Sequence, residues 1–440
     1  MSFFKEIIDR RVLPAAGVYV GASWVLVEML DRLVERYFLS PYITDIVFWG
    51  LLSLLPAVLL LAWTHGRPGK DKVTRLEKYG IPIYVLAAGV TLVMAFGSKD
   101  LSATAELVTL PNELGVEESH YIPRESYRRR IAVFFWDGAG LAPELEWLRY
   151  GVTELLTQDL QQNPFLLATS PWGGMAGGLY SEMKEAGFDD GLDVPLALKR
   201  DIADQYNRDY FIDGAIGRVD QQFTVTARVW DTETFAMIDE ISASGWDLMT
   251  VVDDLSDAVR ELLDTPQGQG DLPLAETYGE SEDALEAYIQ GRNAVLFEND
   301  RVKANKNYDR ALQTDSSFVL AWSAKAMSLW QQGEAAGAIE ALEEAQKLSY
   351  LLPERDRVRV KMAAYQMTGD IEKLETLLRM QTQIVGDAGS YRDLGFYLMT
   401  AGDLEDAKVQ FKKQMEVDLS LIHISEPTRQ ILVSRMPSSA

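Results

Sequence analysis

Residues 46–63 read IVFWGLLSLLPAVLLLAW, eighteen residues without a charge. A bilayer core of roughly 30 Å takes about 20 apolar helical residues, so this run is long enough to span it. Trp49 and Trp63 lie near its two ends, where indole rings favour the membrane interface. Two further runs flank it. Val12–Val27 has sixteen uncharged residues before Glu28, and Gly80–Gly97 (GIPIYVLAAGVTLVMAFG) has eighteen. Asp31 and Arg32 follow Glu28, so the first run reads either as a span over 12–30 or as a helix lying on the membrane surface. No small-residue cleavage site follows it and more spans come after, which argues against a removed signal peptide. Glu28 stands near a helix end, from which a carboxylate reaches water by snorkelling.

Basic residues set the expected orientation. Arg67, Lys70, Lys72, Arg75 and Lys78 lie between the second and third runs, and Lys5, Arg10 and Arg11 precede the first. The positive-inside rule places both groups in the cytoplasm and everything beyond about residue 98 outside. Arg128–Arg130 oppose this only weakly, being some thirty residues downstream. This predicts a bacterial inner-membrane protein with periplasmic soluble domains. The 440-residue chain carries 42 Lys and Arg against 66 Asp and Glu, a net charge of −24. Its first hundred residues hold 11 basic and 9 acidic side chains, so the acidic excess lies entirely beyond residue 100. Such a balance weakens any reading as a nucleic-acid binder. With no cysteine and three histidines, His65, His120 and His423, thiolate chemistry is excluded and a three-His zinc site would need every one.

From residue 101 to 130 the chain reads as a linker with a hairpin-like stretch over 103–123, turning at Pro111-Asn112 and Gly115. Mixed α/β patterning follows. IAVFFW (131–136) is a short continuous apolar run, as a buried strand requires. Leu145, Leu148, Val152, Leu155 and Leu156 give helical spacing over 144–160. Residues 165–169, 210–217, 223–230 and 236–244 read as strands, and 195–206 and 247–263 as helices. The order and several strings resemble the TolB amino-terminal-like domain, related to the FlgO-like periplasmic domain. These are IAVFFW for an opening IAVLPF, Gly151, Thr153, Glu154 and Leu156 for G-x-T-E-x-L, and Phe211-Ile212-Asp213-Gly214 for a strand ending in acid and glycine. Val225–Thr234 leads to D-x-E-T, with Phe235 replacing a glycine. The resemblance covers 131–265 and implies binding and assembly rather than catalysis. The departure is an insertion, 171–194, with Gly173, Gly174, Gly177 and Gly178.

That glycine-rich stretch (SPWGGMAGGLY) lacks the lysine and hydroxyl of a phosphate loop and reads as surface loop, with Trp172 as an exposed contact residue. Asp189-Asp190 and Asp253-Asp254 lack any calcium-loop frame and read as solvated faces. After a linker over 266–281 the chain is helical. Gly333, Gly369 and Gly402 recur 36 and 33 residues apart, and the best repeat has Tyr391, Leu394, Gly395, Leu398, Gly402, Ala407 and Phe411. Trp322, Leu329, Ala338, Leu342 and Ala345 mark another. Tyr288, Ala304, Tyr308 and Ala311 mark a first repeat, and Tyr365 and Leu378 a degenerate third. These residues resemble tetratricopeptide repeats over 282–418, which implies an all-α solenoid with a groove for a protein or peptide.

Beyond Asp418 the pattern stops. Leu419–Arg429 and Ser434–Ala440 resemble, in order, the translation of two parts of a sequencing adapter, so 419–440 is read as an artefact and the native chain is expected to continue differently. The overall expectation is a multi-domain protein with transmembrane helices, an α/β TolB-like domain and a repeat solenoid. It would scaffold envelope assembly or signalling at the lipid bilayer, with no catalytic, metal or cofactor residue and no nucleic-acid partner. The alternative is the sensory portion of a longer cyclase- or kinase-type enzyme. The oligomeric state stays open.

Overall fold

The computed structural model describes residues 12–65, 76–97, 99, 101–138, 140–173, 178–266 and 271–418. The adapter-like stretch with His423, the basic residues 67–75, and Gly174 and Gly177 lie outside them. The chain divides into two compact units, before and after residue 106.

The first unit holds three helices, α1 (Val12–Arg36), α2 (Tyr42–His65) and α3 (Ile81–Phe96). All are long and apolar enough to cross a membrane, α3 together with the helical turn before it as Glu77–Phe96, and almost none of their apolar surface is buried inside the protein. Leu86 and Met94 are exposed, as lipid-facing residues must be. At about 1.5 Å per residue, α2 measures roughly 36 Å, enough for the hydrocarbon core. Two phenols tie the helices together. The Tyr19 hydroxyl donates to the Leu51 carbonyl at 2.7 Å, and that of Tyr84 to Ser53 at 2.8 Å. Both bonds fall beside Leu52, whose carbonyl loses its helical donor to Pro56. α1 continues six residues beyond the expected end at 30. Glu28 is met there by Arg32 one turn on, at 3.0 Å.

The second unit begins within a hairpin, β1 (Ala105–Pro111) and β2 (Glu117–Pro123), from Leu107 onward. Its turn follows from Asn112, whose side chain accepts from the Leu114 and Val116 amides, and from Gly115 at φ +76°. A five-stranded sheet follows in the order β4–β3–β5–β6–β7: β3 (Arg129–Val133), β4 (Leu166–Thr169), β5 (Tyr210–Val219), β6 (Gln222–Asp231) and β7 (Met237–Gly245). β3 pairs in parallel with β4 and β5, and the last three strands form an antiparallel meander. The sheet is covered on both faces, which is why β3 is apolar from Ile131 to Val133, after Arg129 and Arg130 at its start. Ile131 and Val133 face α4 (Leu148–Leu160) and α7 (Leu248–Leu262). Ala132, with Phe134 and Phe211, faces α5 (Leu179–Glu185) and α6 (Leu196–Gln205).

Two local readings are corrected. The β3 ladder stops at Val133, not Trp136. Phe134 and Trp136 stay buried; the Phe134 amide still donates to the Ile212 carbonyl of β5, whereas the Trp136 amide leaves the sheet for the Arg149 carbonyl. The insertion is not all loop: Leu179, Tyr180 and Met183, at helical spacing, form α5 and complete the second core.

Beyond residue 271 come the short α8 (Leu274–Tyr278) and eight helices in four consecutive hairpins. These are α9 (Glu282–Leu296) with α10 (Arg301–Thr314), α11 (Val319–Gln331) with α12 (Ala335–Lys347), α13 (Glu354–Thr368) with α14 (Ile371–Ile384), and α15 (Ala388–Ala401) with α16 (Leu404–Asp418). Gly369 and Gly402 end α13 and α15 in the left-handed conformation that glycine adopts without strain. Gly395 lets the Phe411 ring close on α15; a Cβ there would stand 2.8 Å from it. The region read as a linker holds fully buried Tyr278, and the α/β layers and first hairpin share one continuous core. The upstream hairpin packs on α14 through Leu110, Leu377 and Met380, with Lys361 bonded to Glu113 at 2.6 Å.

Gly214 explains why the third strand needs a residue without a side chain. A Cβ there would overlap the Trp136 ring and the Thr226 carbonyl oxygen. Because one of the two neighbours is backbone, the site cannot relax cheaply. Gly214→Ala is expected to destabilise the second unit by up to about 3 kcal/mol, read as an earlier urea midpoint at unchanged m-value.

Candidate functional site

α4 carries Gly151, Thr153 and Glu154. Gly151 accommodates the Trp147 ring, 2.9 Å from where its Cβ would lie, and the Thr153 hydroxyl donates to the Phe134 carbonyl at 2.9 Å. Glu154 is 1 % exposed. Its Oε1 accepts from the hydroxyls of Tyr278 at 3.2 Å and Tyr288 at 3.4 Å, and from Arg292. Burial works against the Arg292 charge, yet Glu154 raises its pKa above the ordinary range. Burial pushes both phenols up. The Arg292 guanidinium lies 4.9 Å from the Trp172 ring centre, so Trp172 is a packing partner at this junction.

Beside this junction, between α4, β4 and the first helices of the last two hairpins, lies a cavity of about 760 Å³. β4 is an edge strand. Gln161 donates to the Ala168 carbonyl at 2.7 Å, while its own oxygen has no partner. Five arginines line the cavity: Arg208, Arg292, Arg355, Arg359 and Arg392. The acids on its wall are Glu154, Asp387 and Asp393. Arg355 donates to Asp387 at 2.7 Å, Arg359 to Asp356 at 2.9 Å, and Arg392 to Asp393 at 3.0 Å. Burial, then the neighbouring Arg359, holds the Arg355 guanidinium below its ordinary pKa against the pull of Asp387. Positive charge is thus in local excess in a strongly acidic chain.

A second cluster joins the layers on the other side. Arg260 bonds Asp159 at 2.9 Å, Asp257 at 2.9 Å and Asp271 at 2.5 Å. Gln162 both accepts from the Leu272 amide and donates to its carbonyl, at 2.9 and 2.8 Å. Asp253 accepts from the Leu274 amide at 3.2 Å. Burial and the charge of Asp159 push Asp253 up to about 7, and burial lifts Asp159 to about 6 despite Arg260.

Sequence reading proposed no site residues, and the weaker candidates fall in structural roles. Trp322 donates to the Ser316 carbonyl, and Tyr391 lies under Lys413. The carbonyls of Asp189 and Asp190 accept from Tyr180 and Tyr150. Asp254 is exposed and Asp253 is half-buried at the joint. His65 lies 3.5 Å from Glu77 and His120 3.9 Å from Glu118. Among the described residues no group of three or more acidic or imidazole side chains is placed to hold a metal. The arginine wall was missed although it leaves a signal: Arg359 and Arg392 each stand ten residues before the glycine ending their helix. Compared with known proteins, the chain matches no family model and no characterised protein.

Glu154→Ala would leave one guanidinium and two phenols without their shared acceptor. A loss of about 3 kcal/mol is expected by chemical denaturation, partly recovered in Glu154→Leu/Arg292→Met, which removes both charges. The acidic joint gives a pH dependence. Folded Asp253 keeps its proton to about pH 7, whereas an unfolded aspartate releases it near 3.9, so the folded state binds the extra proton between these values. Its contribution to stability therefore falls as pH rises from about 4 to 7. Asp253→Asn should flatten that slope and stabilise the protein above pH 7 by about 1 kcal/mol after solvent screening, measured as melting temperature across pH.

Proposed function

We propose that this chain is a membrane-anchored protein-binding scaffold that receives its partner in the arginine-lined cavity beside β4. The cavity carries this reading. It is bounded by a sheet edge and by successive helical hairpins, and its wall sets polar side chains held in fixed orientations beside Met362, Phe396 and Phe411. Such walls suit recognition of another chain. The α/β order and the four hairpins support assigning residues 131–265 to the TolB-like domains and 282–418 to tetratricopeptide repeats. Positive-inside counting supports a bacterial inner-membrane anchor with the second unit in the periplasm. Envelope assembly or signalling is the setting these features suit.

Position-dependent photo-crosslinking in cells tests the reading. A photoreactive residue replacing Phe396, on the cavity wall and 46 % exposed, is expected to capture a discrete protein. The same residue replacing exposed Trp246 on the α/β surface should not. Equal capture at both positions, or none at Phe396, would overturn the proposal.

A further inference from the structure

We propose that the partner enters the cavity as an extended strand and adds to the sheet at the free edge of β4. This rests on the partner-binding reading above and names the partner's conformation and side-chain pattern.

Backbone direction comes first. Among the described residues, β3 lies on one side of β4 and no strand on the other. The Arg129 amide donates to the Phe165 carbonyl at 2.9 Å, so the backbone groups of Phe165, Leu167 and Thr169 turn toward β3. Those of Leu166 and Ala168, between them, turn outward. The Leu166 amide is met by the Asn163 carbonyl at 3.0 Å, and the Ala168 carbonyl by the Gln161 side chain at 2.7 Å. That leaves the Ala168 amide and the Leu166 carbonyl directed at the open side.

The two edges of the sheet are built differently. β7 carries Asp239 and Glu240, and the Asp239 carboxylate accepts from the Glu240 amide at 2.8 Å. Charge guards that edge and closes one of its amides. β4 reads LLAT, with neither charge nor proline. An uncharged edge beside a cavity of about 760 Å³ is a template for another strand.

Two buried polar atoms show what the cavity asks for. Gln161 gives Ala168 the bond that a neighbouring strand's amide would make, yet among the described residues its own oxygen has no partner, nor has the Trp172 indole nitrogen. Both residues line the cavity with β4. They call for one backbone N–H and one backbone C=O, which every residue of an added strand other than proline carries. A helix keeps its backbone groups bonded within itself and would leave both atoms unmet.

The walls on either side set the side-chain pattern. Leu166 and Ala168 share a core with α4, and on that side the cavity offers Thr157 and Gln158. Leu167 faces the other way, toward the side where Leu179 of α5 lines the cavity. Successive side chains of an added strand meet these walls in turn, so a segment alternating polar and apolar residues fits. The pairing uses the α/β side of the cavity and none of the arginines on the facing helices.

The test starts from random peptides displayed on phage and selected on the full chain in detergent micelles. Fluorescein-labelled synthetic copies are then followed by fluorescence anisotropy. The selected peptides are expected to alternate polar and apolar residues. Methylating their backbone nitrogens one at a time should weaken binding at least about tenfold at every second position and little in between. That period is the signature of strand pairing and depends on no change in the protein. Ala168→Pro, which removes the outward amide and keeps the ladder to β3, should weaken binding by about the same factor with an unchanged melting profile. Selection of no peptide, a methylation scan without the two-residue period, or equal binding by Ala168→Pro would overturn the proposal. So would binding lost in Arg359→Gln/Arg392→Gln alone, which would place the peptides on the facing helices. Self-association lost in Ala168→Pro would put a second copy at the edge and overturn it as well. Crosslinking at Phe396 separates the two readings. A partner captured there, with no strand period in the peptides, removes only the strand pairing, whereas capture failing as well removes both.

Discussion

A carboxylate that leaves water loses several kcal/mol of hydration, and Glu154 is almost wholly buried. It is tolerable there only because Arg292 and two phenols converge on one of its oxygens. None of the three comes from the α/β layers. All three come from α8 and α9, at the start of the helical region. The α/β fold therefore leaves a buried charge unmet until the helices have docked, and the helices lose their acceptor if it is absent. This reciprocal dependence turns two sequence regions into one compact unit, and the shared core of Leu155, Tyr278, Leu285 and Phe318 supplies the apolar driving force around it. The ion network fixes the docking geometry, and the hydrophobic contacts stabilise it. The cavity is a consequence: its walls belong to both partners of the junction.

The readable parts of this fold are those whose cause is local. Three long uncharged runs became three apolar helices because hydropathy over some twenty residues is a property of the segment alone. Gly369 and Gly402 ended helices because a left-handed residue is a local demand. Where the cause was tertiary, the sequence misled. Trp136 extended the apolar run of β3 although its amide leaves the sheet for the Arg149 carbonyl, because burial and ladder pairing end at different residues. The polar, glycine-containing stretch before residue 281 reads as a linker, yet Tyr278 in it is held by a carboxylate 124 residues earlier. No periodicity encodes that pairing. For the cavity, the recurrence of arginine ten residues before a terminal glycine was visible, but it pointed nowhere until α13 and α15 were seen to share a wall.

The two charged junctions differ in how they meet the cost of burial. At Glu154 the carboxylate is matched by a guanidinium that stays charged. At Arg260 one guanidinium serves Asp159, Asp257 and Asp271, while Asp253 next to them has only the Leu274 amide. Acid there outnumbers base, and protonation is the remaining way to relieve the repulsion. One seam of the molecule is therefore matched charge for charge, and the other is left with an excess of acid.

The β1–β2 hairpin brings one more consequence. Arg128, just after it, donates to the Ile384 carbonyl at 3.0 Å and to that of Val385, closing the end of α14 across 257 residues of sequence. A free repeat array gains stability hairpin by hairpin, each contacting only its neighbours, and it can fray from its ends. Here the third hairpin is clasped by the segment that leads into the sheet. Losing it would also strip the sheet's own approach, so partial unravelling saves little. The helices should melt together with the sheet in a single cooperative transition, and synthesis must pass Val385 before the segment around Arg128 finds its place.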